Sequence, residues 1–426
     1  MPRHAPVPLS EVNLDDIDGF ADLRGFSQLD TLRAEDPVHW TDEKDGSGFW
    51  AVTRYDDIWT VDRDSDSFTS ERFVNLEDVE DDLRDFRRSL LETDGPRHQA
   101  LRRLIHREFT PRNLMKNYES FLRELTKQTV DRAFAAAADN GGEIDFVKLI
   151  SADFPIQVLA RLLDVPNEDT GQLIAWGNEM VANTDPDYAK VLLDAEESEK
   201  YRHLPFRSPT VQEVWDYGND LRRARIGGDG TDLVSILANR MPEDDVPLSQ
   251  QDFNNYFSLL VIAGNETTRH AISNSMLGLM EQRDQLRILQ DKPELLPTAV
   301  EELLRWANPV YHFRRTATRD LELGGKEIKE GQKVVMWFAS GNRDESVFED
   351  PYSIDVTRTN VDHMTFGKGS PHLCLGNALA RLEIRLMFEE LLPRLADIEL
   401  AGDVRRIRSN FVNGIKGFPV KITPVA

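Results

Sequence analysis

Cys374 is the one cysteine of this 426-residue chain, and it lies in the stretch GKGSPHLCLGNALARLE, residues 367–383. Gly367, Gly369 and Gly376 flank it, and His372 stands two positions before it. A lone cysteine is more often a small buried hydrophobe than a reactive group, yet the company here is unusual for a core position. Glycines let backbone approach a flat ligand closely. A helix starting near Gly376 would turn free N–H groups and its positive end toward the thiol, favouring the thiolate. The loop therefore suits an anionic sulfur beside something large and planar. A cysteine hydrolase with His372 as base is the competing chemistry, but two residues of separation in an irregular loop pair poorly. No third orienting group stands nearby either.

Three other constellations could do chemistry. AGNETT, residues 263–268, places Gly264 and two threonines inside a strong helical pattern. Glycine in a helix interior costs about 1 kcal/mol, and threonines that bond back to carbonyls bend helices. This is either a tolerated kink with close packing or a break that makes room for a small ligand, with Glu266 and Thr267 supplying an acid and a hydroxyl. EELLR holds Glu302 and Arg305 at i, i+3, which alone is an ordinary surface contact. DGPRHQALR sets His98 and Arg102 four apart, hence on one helix face. That pair suits a carboxylate or phosphate ligand, or equally a solvated charge stripe.

The elements that must position these groups are mostly helices. In 253–275, Phe253, Phe257, Leu260, Gly264, Thr267/Thr268 and Ala271 recur at helical period. Residues 295–307 and the run after Gly376 (Leu379, Leu382, Leu386) behave likewise. Strand-like stretches are few: GFWAVT near residue 50, residues 321–338 with a hairpin turn at Gly324–Gly325, and the C-terminal GFPVKITPV. The pattern predicts a mainly α fold with a small β portion, an α+β class. Two polar segments rich in turn formers, within 73–92 and 184–215, read either as surface excursions or as lids over a ligand site.

The totals narrow the function. With 75 acidic against 51 basic residues and a formal charge of −24, the chain is ill suited to nucleic acid or an anionic membrane. Residues 97–116 still gather Arg97, Arg102, Arg103, Arg107, Arg112 and Lys116 against one acid, Glu108. This is a solvated face or a dock for an acidic partner. No stretch approaches the ~18 apolar residues of a membrane helix. The N-terminus lacks an apolar signal core, and one cysteine suits a reducing compartment, so the chain is expected in the cytoplasm. A length of 426 residues is long for one core, which means two domains or one organised around something extra.

DGPRHQALR, AGNETT, EELLR and FGKGSPHLCLG, in that order, resemble the motifs of the cytochrome P450 superfamily, and the likeness runs from about residue 35 to the C-terminus. The missing membrane anchor is similar to the soluble bacterial, ferredoxin-dependent members. The resemblance implies one P450 domain over 1–426, with 1–34 an N-terminal extension and 73–92 and 184–215 as lids. It implies haem b held between the long oxygen-binding helix and the cysteine-bearing helix, with O2 as co-substrate. Cys374 matches the axial thiolate ligand of the iron, although Phe366 to Cys374 spans one residue more than the usual loop. His98, Arg102, Arg315 and His372 match positions that bind the haem propionates, with Arg314 a rival for the role of Arg315. Ala263, Gly264, Phe366 and Gly376 match positions against the ring. Thr267 and Glu266 match the alcohol–acid pair that serves oxygen activation. Glu302, Arg305 and Arg358 resemble a buried structural ion-pair network.

By the same resemblance the enzyme is a monooxygenase that inserts one atom of O2 into a C–H bond. Electrons come from NAD(P)H through a reductase and an acidic ferredoxin, which docks on the basic cysteine side with Lys368, Arg381 and Arg385. Pocket positions read Phe73, Val74, Leu260, Val310, Tyr311, Phe411 and Val412. They imply a hydrophobic small molecule of terpenoid, alkyl or fatty-chain, or steroid type, with Tyr311, His312 or Asn413 able to anchor a polar end. The alternatives are a peroxide-driven peroxygenase and a haem-binding sensor or carrier without turnover.

Overall fold

A computed structural model describes residues 5–425. Residues 1–4 of the N-terminal segment and Ala426 lie outside the described residues. Helices dominate, with a small strand portion, as the sequence periodicities imply. Among the described residues no helix is long and apolar enough to cross a membrane.

The helical pattern of 253–275 divides in two. Ser249 and Asp252 form a reciprocal capping box (3.0 and 2.9 Å) that starts the helix Gln250–Ala263. The helix stops at Gly264 and a second, Glu266–Glu281, begins two residues on. A Cβ at Gly264 would lie 2.9 Å from Leu159 and 3.1 Å from the Leu260 carbonyl, so the break needs a bare backbone. The Thr267 hydroxyl donates to the Ala263 carbonyl (3.0 Å), occupying an acceptor that the interrupted ladder frees. Glu266–Glu281 is buried on nearly every face, and its polar residues are paired across to neighbours. Ser273 meets Ser151 at 2.7 Å, and Asn274 donates to the Asn413 carbonyl at 2.8 Å.

Two helices flank this pair. Leu296–Ala307 carries Glu302 and Arg305 inward, and Gly278 admits the Trp306 ring where a Cβ would come within 2.6 Å. Asn377–Leu391, the cysteine helix, begins directly after Gly376. The main sheet runs Val38–Thr41, Phe49–Val52, Lys333–Met336, Phe313–Ala317 and Phe68–Thr69 in spatial order. Its inner strand registers Phe313 with Met336 and Arg315 with Val334. Leu321–Leu323 and Lys326–Ile328 form the expected hairpin; Gly324 and Gly325 both take positive φ (57° and 77°), the requirement of a tight primed turn.

Residues 5–34 pack onto the sheet, where Phe20, Phe26 and Leu29 join Tyr311, Val335 and Trp337 in one apolar cluster. Segment 73–92 contains the short helix Asp81–Arg87, and segment 184–215 carries the 3-10 turns Glu196–Tyr201 and Pro205–Arg207 before the helix Thr210–Arg225 begins within it. The two meet at a buried carboxylate. Glu77 accepts from Arg87 (2.8 Å) and from Arg207 (2.7 Å), while Arg87 also donates to the Arg202 carbonyl (3.1 Å). Arg314 holds the Glu77 carbonyl at 2.9 Å and Lys333 that of Leu76 at 3.1 Å, fixing the base of segment 73–92 to the sheet.

Candidate functional site

The broken helix pair and the cysteine loop face each other across an apolar cavity. From the helix side come Leu260, Ala263, Gly264, Thr267, Thr268 and Ala271, which are i, i+3, i+4 neighbours and form one stripe. From the opposite side come Phe366, Gly367, Cys374, Leu375, Gly376 and Leu379. The cavity wall is overwhelmingly apolar, closed above by Val74, Leu90, Leu91, Val310 and Phe313.

The cysteine loop is a set of turns that only glycine permits. Gly367 and Gly369 sit at φ 70° and 79°, and the Cys374 N–H donates to the Phe366 carbonyl (2.9 Å), closing the loop despite its extra residue. Cys374 is exposed, but to the cavity. Burial within the protein pushes its thiol up from the ordinary value; the Gly376 N–H, Arg102 and Arg381 pull the other way without prevailing. A metal cation bound here would hold the sulfur as thiolate, because a coordinating thiol is deprotonated outright.

Cations and donors gather at one end. The helix Gly95–His106 presents His98 and Arg102 to the cavity. Arg102 donates to the Leu373 carbonyl at 2.6 Å, and the His98 and His372 rings lie 4.2 Å apart. Burial, then His372 and Arg102, push His98 down to about 4. Arg315 joins them from the sheet, whereas its neighbour Arg314 turns to the segment 73–92 carbonyls. Two carboxylates that the sequence reading did not single out also reach this end. Asp94 stands at the N-cap of Gly95–His106 and accepts from Thr69 (2.6 Å), the Ser70 N–H (2.8 Å) and His372 (2.8 Å). Burial alone would raise its carboxyl, but His372, Thr69 and Ser70 hold it at about 2. Asp62 accepts from Arg315 at 2.8 Å.

Thr267 lines the cavity, and Glu266 does not. The Glu266 carboxylate is 1 % exposed and points behind the helix to Arg269, His270 (3.3 Å) and Asn265 (3.1 Å). Burial raises its carboxyl, yet Arg269 and His270 outweigh that and keep it below the usual range. Glu383, nearly two turns into the cysteine helix and part of the wall, is the opposite case. Its burial, hardly opposed by a bond from Thr268, pushes its carboxyl well above the usual range.

Of the residues read as pocket, Val74, Leu260 and Val310 stand in the wall, as does Phe313. The other four lie elsewhere. Phe73 takes φ 76° and turns its ring under Arg87, 5.1 Å away. Tyr311 packs on Phe20 and Phe26, with its hydroxyl bonded to Asn413 (3.1 Å). Val412 bridges Val310 through backbone, and Phe411 backs Phe313 at 5.7 Å, one layer behind the wall. Leu159, Leu162 and Leu259 complete the cavity from positions that sequence spacing did not mark. Glu302 and Arg305 are fully buried and bidentate (2.7 and 2.8 Å), with Arg358 3.2 Å from the same carboxylate.

These residues fit a haem. A Cβ on Gly376 would meet nothing within 4 Å, so the floor beside Cys374 is open where a flat ring needs room. A soft sulfur faces that room, and donors for two carboxylates collect at one edge.

Comparison with known proteins agrees. The family model for Cytochrome P450 matches residues 47–418. The chain is 38% identical over 404 residues to a linalool 8-monooxygenase of Pseudomonas putida, covering 92% of this chain and 94% of that one. It is 35% identical over 426 residues to a methyl-branched lipid omega-hydroxylase of Mycobacterium tuberculosis, covering 97% and 95%. A Mycobacterium marinum cytochrome P450 solved in complex with pseudoionone superposes with a TM-score of 0.86 at 34% identity, covering 99% of this chain and 100% of that one. The chain therefore belongs to the cytochrome P450 family, as a haem b monooxygenase that uses O2.

Proposed function

We propose that this enzyme hydroxylates an unactivated C–H bond of a hydrophobic small molecule with an extended or branched carbon skeleton, of terpenoid or lipid type. The carrying observation is the wall that Val74, Leu90, Leu260, Val310 and Phe313 make over Thr267, which offers apolar contact and few hydrogen bonds. The relatives named for linalool and methyl-branched lipids favour the same class. The balance is one C–H bond and O2, with two electrons and two protons, giving an alcohol and water.

Haem b, when bound, supplies the iron at which O2 is activated. Cys374 gives the thiolate that holds it, and His98, Arg102, Arg315 and His372 receive its carboxylates. Thr267 keeps a hydroxyl at the break and is held there by the Ala263 carbonyl. Glu266 stores its proton-transfer capacity out of the cavity; leaving Arg269 and His270 for the Thr267 side would let it accept a proton from the outside and deliver it inward. Segments 73–92 and 184–215 close the chamber as lids, joined at Glu77, on a single P450 domain working in the cytoplasm.

Electrons enter from NAD(P)H by way of a reductase and an acidic ferredoxin on the cysteine side. The docking patch is narrower than the sequence suggests. Arg97, Arg103, Arg381, Arg385 and Lys368 are each taken by an internal carboxylate. Arg107, Arg112 and Lys116 remain exposed without a carboxylate partner among the described residues, around the 48 % exposed Met115.

Thr267→Ala tests the assignment. Reductant consumption should continue while peroxide replaces product. Unchanged coupling would contradict the role of Thr267, and no product from the wild-type enzyme with any apolar substrate would contradict the reaction.

A further inference from the structure

The helix Tyr55–Arg63 turns Ile58 and Val61 into the core and, on the same face, Asp62, which is 3 % exposed. An ionised carboxylate in such a place is costly unless something compensates it. One oxygen is compensated: Oδ1 accepts from Arg315 at 2.8 Å. The other, Oδ2, is buried with no protein partner. The cysteine loop closes over it at Gly367, where a Cβ would stand 3.1 Å from Oδ2. Asp62 is also part of the cavity wall, at the end where His98, Arg102, Arg315 and His372 collect.

The charges at this end decide what Asp62 does. Arg102 and Arg315 are permanent cations. Asp62 pairs with Arg315 and Asp94 with His372, Arg102 is bonded only to the Leu373 carbonyl, and His98 is too deeply buried to add a charge near neutral pH. A haem that brings two propionates thus meets an Arg315 whose charge Asp62 already offsets. Removing water from the site leaves the carboxylate of Asp62 poorly screened. Its field then favours the more positive, ferric state of the iron.

We propose that Asp62 is a positioning residue that fixes Arg315 and, through its own charge, holds the haem reduction potential low. This rests on the haem seating with its propionates at this end of the cavity. The role goes beyond tethering, because a tether alone would act through geometry and leave the potential where it is.

The test compares substrate-free holoenzyme with Asp62→Asn, which keeps an acceptor for Arg315 and deletes the charge, and Asp62→Ser, which leaves room for a water. The ferric spectrum is recorded first, then the midpoint potential by spectroelectrochemical titration. Both variants should shift the ferric–ferrous equilibrium about tenfold toward ferrous, which is about 59 mV upward for a one-electron couple. Intact spectra with unchanged or lowered potentials would overturn the role of Asp62. If Asp62→Asn does not hold haem, the potential of Asp62→Ser decides. Wild-type protein that shows no haem–thiolate spectrum would overturn the seat itself, and that result is read before any reduction.

Discussion

His312 is 1 % exposed, and neither ring nitrogen has a protein partner. Its ring lies 4.6 Å from Trp337 and 5.5 Å from Phe411, an aromatic slot that a phenylalanine would fill. Burial alone pushes its pKa down from 6.5 to about 3. The unfolded chain therefore takes up this proton first as pH falls, so stability is lost below about pH 6.5 and goes on falling to about 3. The whole interval corresponds to roughly 5 kcal/mol at 1.36 kcal/mol per unit, and the part between pH 6.5 and 4.5 to about 3 kcal/mol. In His312→Phe that contribution vanishes. At pH 7.5 the variant should be equal to wild type or more stable by about 1 kcal/mol, since two unmet ring nitrogens are removed. His98 and His270, each held at about 4, stay in both proteins and cancel in the difference. Urea unfolding followed by tryptophan fluorescence at pH 7.5, 6.5, 5.5 and 4.5 measures it. The gap between variant and wild type should widen by about 2–3 kcal/mol toward pH 4.5. A gap that does not change with pH would show that His312 is not the buried neutral group proposed.

Two other outcomes follow from charges on the surface and at the lids. Glu77→Gln leaves Arg87, 3 % exposed, and Arg207 without their shared carboxylate; breaking such a pair costs about 3–5 kcal/mol. Faster hydrogen exchange in 184–215 and a ligand off-rate at least about tenfold higher are expected, and unchanged exchange there would show that Glu77 does not join the lids. Reduction by an acidic ferredoxin should slow steeply between low and physiological salt, where screening falls to about 8 Å, and Arg112→Ala should slow it at low salt. A salt-independent rate would point to a different partner or face.

Helical period made Leu296–Ala307 and the cysteine helix legible, and paired glycines announced the hairpin at Gly324–Gly325. The break at Gly264 was visible because glycine followed by two threonines interrupts a strong stripe. That stripe also says which residues face the cavity: 260, 263, 264, 267, 268 and 271 share one side. Glu266 falls off it, so its position behind the helix could have been read from phase. Adjacency to Thr267 hid this. Short strands such as Val38–Thr41 and Phe68–Thr69 carried no pattern, since two to four residues fix no period, and the partner of Phe68–Thr69 is distant in sequence. Tyr311 and Phe411 were read as pocket from the family resemblance; Tyr311, two residues before the strand Phe313–Ala317, packs into the N-terminal cluster instead. Asp62 had a signal, a carboxylate four residues from Ile58 on a buried helix face, but its partner Arg315 lies 253 positions away.

The haem–thiolate seat and its apolar chamber stand or fall together on the ferric visible spectrum of the purified protein, titrated with terpenoid alcohols, branched fatty acids, alkanes and steroids. A haem–thiolate spectrum that shifts saturably toward high spin with one apolar class, and is lost in Cys374→Ser, is the predicted result. A protein that takes up no haem, or whose spectrum survives Cys374→Ser, would contradict it.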